Sequence, residues 1–325
     1  MSTWPNYSPK DIPELSKSLR REWHKDYLVM FSSVWGGFST HPELWGFPVD
    51  DHMAHRADGV FEAFKCQDGR VYCLNEHLER LGRSAASIGL ELPKELDHVL
   101  DILKEAWRLG GKQDFQGRIC VSRGPGSFSV NPYDAKGPEF YLVTLRLKKR
   151  PPESFSKGVT AISSPYLAKK DFAGVKSVDY LLNALVKKNA IEQGAEFGIT
   201  FDSEGYLAEG PTENVAIVTK DGELLAPSWS RILKGVTLSR VLDRAQDLVA
   251  SGLLRFAGNR DVHRDELWDL MAEAFLTATT YDVLPLTLWD GKEVGDGLPG
   301  PVTRELMGII EEEAKGDNPY TTSLA

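Results

Sequence analysis

The chain has 325 residues, a formal charge of −9, 42% hydrophobic residues and 26% charged residues, which are the proportions of an ordinary globular protein. The acidic balance argues against non-specific binding of nucleic acid. No stretch approaches the roughly eighteen apolar residues of a membrane span, and the first residues lack the apolar core of a signal peptide. The length predicts one large domain or, more often, two.

The cysteines and histidines give no sign of a metal site. Cys66, Cys73 and Cys120 have no metal-type spacing and leave an odd count, so we expect reduced thiols in a cytoplasmic protein. His52 and His55, in "HMAH", could form a metal pair, but no third ligand lies nearby in sequence. Ordinary packing of these two rings is therefore the simpler interpretation.

The first half of the chain predicts a small α/β domain covering residues 1–150. Residues 1 to about 45 are rich in proline, tryptophan and charge, and we expect them to form an extension wrapped on the body of the protein. The patterns that follow indicate a hairpin, two helices and two further strands. These lie at 60–66 and 70–74 for the hairpin, from about 76 and at 94–109 for the helices, and at 117–122 and 139–147 for the strands.

A stretch rich in lysine, arginine and proline, "LKKRPPESFSKG", indicates a linker before a larger C-terminal domain at residues 151–325. That half opens with a strand at 159–163 and continues with short strands between 197 and 226. A helix is expected to begin at 235–237, and the segment 273–291 is expected to be a strand that ends in a threonine cluster. The fold class is therefore α+β, or mixed α/β, in two domains.

The segment "DFAGVKSVDYLLNALVKKNA", residues 171–190, predicts an amphipathic helix that begins after Ser177 as its N-cap, with Asp179 in the first turn. Lys187 and Lys188 are expected on its solvated face. Lys176 comes just before the helix N-terminus, where the helix dipole disfavours an ammonium and should lower the pKa. A lysine with a lowered pKa suits nucleophilic amine chemistry, although an exposed surface lysine remains the simpler alternative.

Several other segments could bind an anion. The turn at 235–237 offers backbone N–H groups and a hydroxyl at a helix N-terminus. Thr279 and Thr280 could add hydroxyl donors, and Arg80 could supply a guanidinium for a phosphate. Each has a simpler explanation when taken singly, as a helix cap, a β-forming residue or a surface salt bridge.

A lysine nucleophile, a phosphate site and a carboxylate at Glu209 are together the groups that pyridoxal phosphate requires: an amine for its aldehyde, an anion cradle and a partner for its ring nitrogen. At this point the chain resembles a known family. The motifs "DGVFEAF", "NEHLERL", "VKSVDYLLNAL", "YLAEGPTENVAIV", "ILKGVTLSRV" and "FLTATTYDVLPL" occur in the order typical of the fold-type-IV, or class IV, pyridoxal-phosphate aminotransferases. The likeness runs from about residue 48 to about residue 305 and is strongest to the D-amino-acid transaminase branch.

The resemblance implies a role for each matched position. Lys176 would form the Schiff base with the cofactor and later move the substrate's proton, and Glu209 would keep the pyridine nitrogen protonated. Arg80 would bind the phosphate, Leu233 would pack on a face of the ring, and Tyr180 would hydrogen-bond the phenolic oxygen. The remaining implied cofactor-binding residues are Glu213, Asn214, Gly235, Val236, Thr237 and Thr279.

One part of the family pattern is missing. The best-known bacterial D-amino-acid transaminases carry an Arg-x-His pair for the substrate carboxylate, but Phe128 and Val130 stand at those positions in "SRGPGSFSVNP". If the substrate is an α-amino acid, Arg56 is the first replacement candidate and Arg123 the second. The predicted substrate-binding set is Phe61, Arg56, Arg123 and Thr280.

The sequence thus predicts a transaminase that works by a ping-pong cycle with an amino acid, a D-amino acid favoured or an (R)-amine, and a 2-oxo acid. Branched-chain amino-acid transamination and the related aminodeoxychorismate lyase reaction are the alternatives within the family. A catalytically inactive homologue that only binds a ligand is the alternative from another class. The resemblance also implies a homodimer.

Overall fold

Two β-sheets organise the chain, and the computed structural model describes residues 4–325. Within that range the strands are β1 Tyr27–Ser32, β2 Gly37–Ser39, β3 Gly59–Gln67, β4 Arg70–Tyr72, β5 Phe115–Ser122, β6 Glu139–Arg146, β7 Val159–Leu167, β8 Phe197–Phe201, β9 Asn214–Thr219, β10 Glu223–Ala226, β11 Phe256–Asn259, β12 Met271–Ala278, β13 Asp282–Trp289, β14 Lys292–Glu293 and β15 Thr321–Ser323. The helices are α1 Ile12–Leu19, α2 His52–Arg56, α3 Leu74–Ser87, α4 Val99–Leu109, α5 Glu153–Ser156, α6 Leu181–Glu192, α7 Val236–Ala250, α8 Arg264–Leu270 and α9 Pro301–Lys315.

The first sheet is antiparallel throughout, in the order β15-β4-β3-β5-β6-β1-β2. Its core side chains, among them Phe64 and Phe115, pack against Leu81 of α3 and Leu103 of α4. The predicted hairpin is present, because β3 and β4 pair directly around a two-residue turn with positive φ at both central residues.

Residues 27–39 belong to this sheet, whereas the sequence pattern placed them in an extension reaching residue 45. The run "YLVMFS" forms β1, which pairs with β6, and Val29 and Met30 in it are buried. The proline- and tryptophan-rich surroundings hid a short core strand, because composition over a long window averages away a six-residue apolar run.

The second sheet is mixed, in the order β11-β10-β9-β12-β13-β7-β8, and β14 pairs with β13. Helices α7 and α9 cover one face, with Leu238 and Leu306 in a shared core. The segment expected to be one strand ending in threonines is instead the hairpin β12–β13, and Thr279 and Thr280 lie in its turn. The mixed α/β class predicted from the sequence is confirmed.

The domain boundary predicted near residue 150 lies between β6 and β7, and the division into two domains there stays a prediction. The C-terminal segment does not follow it, because β15 returns to pair with β4 in the first sheet. None of the helices within residues 4–325 is long and apolar enough to cross a membrane.

Helix α6 begins at Leu181 and not directly after Ser177. The residues before it extend alongside β3, where Ser177 forms a bridge with Val60, so tertiary pairing overrides the helical pattern there. Of the two lysines expected on a solvated face, Lys188 is exposed and paired with Glu192, whereas Lys187 is half-buried and donates to the carbonyl of Glu196.

A partly buried glutamate of the C-terminal half pairs with a buried arginine of the same half and hydrogen-bonds a tyrosine of the N-terminal half. Glu313 of α9 accepts hydrogen bonds from Arg240 Nε and Nη2 of α7, each at 2.9 Å, and from the Tyr72 hydroxyl of β4 at 2.7 Å. Glu313→Gln should lower the free energy of unfolding by about 2 kcal/mol, because the buried Arg240 guanidinium then keeps only the exposed Asp243 as a carboxylate partner among residues 4–325. Urea denaturation followed by circular dichroism measures the loss.

The matched control is Glu311→Gln on the same helix, since Glu311 is exposed and pairs only with Lys315. The control should unfold at the wild-type urea concentration. An unchanged midpoint for Glu313→Gln would show that the network does not hold the two halves together.

Candidate active site

The backbone of Lys176 is fixed by the first sheet. Its carbonyl accepts from Phe61 N at 3.0 Å, its own N–H donates to Ser84 Oγ of α3 at 3.1 Å, and Val178 N donates to Gly59 O at 3.0 Å. The segment therefore extends alongside β3 as a short additional strand. This pairing presents the Lys176 side chain on the same side of β3 as Phe61.

The ammonium of Lys176 is buried against aromatic rings. The residue is 9% exposed, and Nζ lies 4.7 Å from the Phe61 ring centroid and 3.3 Å from the Tyr180 hydroxyl. Within residues 4–325 no carboxylate oxygen lies within ion-pair distance of Nζ. Burial, followed by the charge of Arg80, lowers the pKa of Lys176 from its usual 10.5 to about 8.

The predicted direction of that pKa shift is confirmed, but the predicted cause is wrong. Helix α6 begins five residues beyond Lys176, so its dipole is not close to the ammonium, and the effect of a helix terminus falls off within a turn. The pKa of Lys176 is lowered instead by loss of hydration in the aromatic surroundings and by repulsion from Arg80.

Glu209 is partly buried and lies among neutral hydrogen-bond donors. Its Oε2 accepts from Leu233 N at 3.1 Å and from Asn214 Nδ2 at 3.0 Å, and its carbonyl is held by both the N–H and the hydroxyl of Thr200. Burial raises the pKa of Glu209 to about 8, against the effect of the Leu233 hydrogen bond. No cationic side chain of residues 4–325 forms an ion pair with this carboxylate.

Arg80 of α3 is held on both sides. Its Nε and Nη2 donate to the two oxygens of Glu62 at 2.7 and 2.8 Å, and its Nη1 donates to the carbonyl of Lys234 at 3.0 Å. Lys234 immediately precedes Gly235, the N-cap of α7. The guanidinium is therefore fixed next to a helix N-terminus, where unpaired backbone N–H groups favour an anion.

The start of α7 requires a glycine. A Cβ at Gly235 would overlap Oδ1 of Asn214. The close approach lets Asn214 bond both Glu209 and the carbonyl of Leu233. Val236 and Thr237 follow in the first turn of α7, and both are largely buried.

These residues surround one cavity of about 210 Å³ between the two sheets, far above the roughly 10–15 Å³ that a single water needs. The predicted residues that line it are Lys176, Arg80, Tyr180, Glu209, Glu213, Asn214, Leu233, Gly235, Val236, Thr237, Thr279, Phe61 and Thr280. Positions spread over about 220 residues of sequence, from Phe61 to Thr280, thus meet at one place.

Two predicted residues are not brought to this cavity. Arg56 is exposed and donates to the carbonyls of His55 and Phe128, at 2.9 and 2.5 Å. Arg123 forms an ion pair with Asp58 and donates to two carbonyls just beyond the end of α3. Their predicted role in binding the substrate carboxylate has no support from the geometry of a single chain.

The sequence analysis missed Arg118, which lines the mouth of the cavity from β5. Its guanidinium carbon lies 4.9 Å from the Phe61 ring centroid, and within residues 4–325 no carboxylate lies within ion-pair distance of it. Lys169, another cation at the mouth, already donates to the carbonyl of Asp179. Alternation along β5 was a usable signal, since Arg118 and Gln116 share the face opposite buried Ile119.

Comparison with known proteins agrees with this geometry. Residues 59–289 match the family described as amino-transferase class IV, and the chain belongs to that family. It is 33% identical to the chloroplastic D-amino-acid transaminase of Arabidopsis thaliana over 92% of this chain and 80% of that protein. It is 29% identical to the D-alanine aminotransferase of Bacillus licheniformis over 82% and 93% of the two chains.

Among solved structures, a branched-chain amino acid aminotransferase of T.th. with pyridoxamine 5′-phosphate superposes with a TM-score of 0.83. That match has 26% identity and covers 92% of this chain and 99% of the other. The protein is therefore an aminotransferase with the fold-type-IV architecture, and its cofactor is pyridoxal phosphate.

The residues present fit this cofactor. Glu209 accepts hydrogen bonds from neutral donors, and among residues 4–325 no cation lies within ion-pair distance of it, which suits a protonated ring nitrogen. The hydroxyl of Thr277, also on the cavity wall, is buried and has no hydrogen-bond partner among residues 4–325. An unsatisfied buried hydroxyl in a cavity that a guanidinium and a helix N-terminus also line suits a polar ligand group.

The lowered pKa of Lys176 predicts its reactivity in the ligand-free protein. A small amine-reactive reagent should label Lys176 half-maximally near pH 8, because half of its amines are neutral at that pH. Lys188 is the control, since the hydrogen bond with Glu192 raises its pKa and its labelling should still be increasing well above that pH. Peptide mass spectrometry across a pH series measures both, and parallel profiles for the two lysines would contradict the prediction.

Proposed function

We propose that the protein transfers an amino group between an α-amino acid, with D-amino acids favoured, and a 2-oxo acid, and that Lys176 is its catalytic residue. The observation that carries the proposal is a buried lysine of lowered pKa in the same cavity as Glu209 and an anion site. The similarity to the Arabidopsis D-amino-acid transaminase supports the choice of donor.

When bound, pyridoxal phosphate supplies an aldehyde that condenses with amines and a ring that stabilises negative charge developed at the substrate's Cα. Lys176 Nζ would hold the cofactor and move the proton at that Cα, which requires an amine that is neutral in an appreciable fraction of molecules near physiological pH. Glu209, which Asn214 positions, would keep a proton at the ring nitrogen, and Tyr180, whose hydroxyl is bonded by Lys176, would orient the ring.

The phosphate would be held by the Arg80 guanidinium, the backbone N–H groups of Val236 and Thr237 and the hydroxyl of Thr279. Leu233 would pack on one face of the ring. Asn214 positions Glu209 through its amide, and Glu213 contributes less directly, because its carboxylate is already bonded by Thr212.

Arg118 is the proposed ligand of the substrate's α-carboxylate. It is the cation at the mouth of the cavity that is not engaged by a carboxylate or a carbonyl in the described chain, and the Phe61 ring beneath it restricts its orientation. A guanidinium can bind a carboxylate through two parallel hydrogen bonds. Gln116, two residues earlier on the same face of β5, can add an amide donor.

A branched-chain amino acid is the second candidate for the donor, and the similarity to the solved branched-chain aminotransferase favours it. Both candidates carry an α-carboxylate and differ in stereochemistry and side chain. A panel of D-alanine, L-leucine and L-valine with 2-oxoglutarate as acceptor, and of D-glutamate with pyruvate as acceptor, distinguishes them by the specificity constant. The panel includes an amine without a carboxylate, 1-phenylethylamine.

Arg118→Ala should reduce kcat/KM for amino acids by about ten- to a hundredfold, because it removes a charge-assisted hydrogen bond of about 1.5–3 kcal/mol. The loss should be absent for 1-phenylethylamine, which has no carboxylate, if that substrate is accepted. Arg108→Ala is the control, since this exposed arginine on α4 pairs only with Glu105.

Equal losses for amino acids and amine would show that Arg118 supports the site and does not bind the carboxylate. A loss of kcat/KM for amino acids alone in Arg56→Ala or Arg123→Ala, with none in Arg118→Ala, would show that the residue expected from the sequence binds the substrate carboxylate.

We infer further that the chain works as a homodimer. The loop between β5 and β6 exposes Phe128, Val130 and Tyr133 by 61%, 81% and 91%. Exposed apolar residues that lie together favour a protein partner. Light scattering should give twice the chain mass of 36.2 kDa, and a mass of one chain at micromolar concentration would contradict the inference.

We also propose that the protein is located in the cytoplasm. All three cysteines are unpaired, and burial raises the pKa values of Cys66 and Cys120 to about 12 and about 11. Such thiols suit a reducing compartment. Fractionation that finds the protein outside the cytoplasm would contradict this proposal.

A further inference from the structure

Glu62 is a fully buried carboxylate for which the proposed chemistry has no direct use. It lies on β3 between Phe61 and Ala63, which line the cavity, so alternation along the strand directs Glu62 to the opposite face, toward α3. Its residue exposure is 0%. A buried charge of this kind is costly unless every oxygen is satisfied.

Both oxygens of Glu62 are satisfied by α3. Oε1 accepts from Arg80 Nε, and Oε2 accepts from Arg80 Nη2 and from His77 Nδ1, at 2.7, 2.8 and 2.8 Å. Burial alone would raise the pKa of Glu62, but Arg80 and His77 hold it at about 2, so the group is ionised. Because an ionised carboxylate only accepts, the proton of neutral His77 must be on Nδ1.

The guanidinium of Arg80 is thereby fixed in one plane. Of its five N–H groups, two point to Glu62 and one to the carbonyl of Lys234. Two N–H groups remain for a ligand in the cavity that Arg80 lines. A long, flexible side chain acquires a fixed direction only through such partners, and fixing it beforehand lowers the entropy cost of binding an anion.

We propose that Glu62 is a positioning residue for the cofactor, holding Arg80 so that its free N–H groups face the phosphate. The inference rests on the phosphate-binding role of Arg80 in the proposed function. Net charge and orientation predict opposite effects of removing Glu62, because Glu62 both neutralises and orients Arg80. If net charge governed phosphate binding, removing the Glu62 carboxylate would strengthen that binding. If the orientation of Arg80 governs it, removing the carboxylate weakens phosphate binding.

The experiment compares pyridoxal phosphate with pyridoxal, which lacks the phosphate, by equilibrium binding to the cofactor-free full chain. Glu62→Gln should weaken binding of pyridoxal phosphate by about tenfold and leave pyridoxal binding unchanged. Glu273→Gln is the matched control, since Glu273 is equally a buried glutamate but bonds only the start of α9. That control should change neither affinity. If Glu62→Gln does not fold, Glu62→Asp keeps the charge but retracts it by one methylene, and the same selective loss is expected.

Arg80→Ala and the double variant complete the cycle. Because Glu62 acts through Arg80, Glu62→Gln should cause no further loss of pyridoxal phosphate affinity in the Arg80→Ala background. Additive losses, equal losses for both ligands, or unchanged or tighter binding in Glu62→Gln would overturn the inference. Arg80→Ala without a phosphate-selective loss would instead contradict the proposed role of Arg80, and the inference with it.

Discussion

The burial of an ammonium without a carboxylate beside it is the constraint on which this structure depends. Removing the Lys176 charge from water is unfavourable, and its contacts with the Phe61 and Tyr180 rings offset only part of the lost hydration free energy. The chain keeps the lysine in place through its backbone, by pairing with β3 and by the bond to Ser84. Because the fold and not an ion pair holds the residue, its amine stays free for chemistry.

Two glutamates shielded from solvent to different degrees, Glu62 and Glu209, show how the neighbouring groups decide the state of a carboxyl. Glu62 meets a guanidinium through two hydrogen bonds and is ionised, with a pKa of about 2. Glu209 meets an amide and a backbone N–H, both neutral, and its pKa is raised to about 8. One residue type thus serves as a permanent counter-charge on one side of β3 and as a titratable partner on the other side of the site.

Much of the site could be predicted from sequence because the motif residues adjoin segments with clear local patterns. Arg80 follows the helical spacing of α3, and Gly235 marks a helix start. The start of α6 could not be predicted, because the apolar spacing from Val178 fits a helix and only the pairing of Ser177 with Val60 prevents it. Arg56 was favoured by proximity in sequence, whereas Arg118 reaches the cavity through the strand order of the first sheet, which local patterns do not encode.

The return of β15 to the first sheet has a consequence for how the protein is made. Residues 321–323 emerge from the ribosome after every other strand of that sheet, yet they cover the outer edge of β4. Until then the growing chain carries an open strand edge, the kind of surface through which nascent chains associate wrongly. The first sheet is thus begun early in translation but completed only when the C-terminal segment has been made. Protection of its open edge at β4 therefore depends on the second half of the chain.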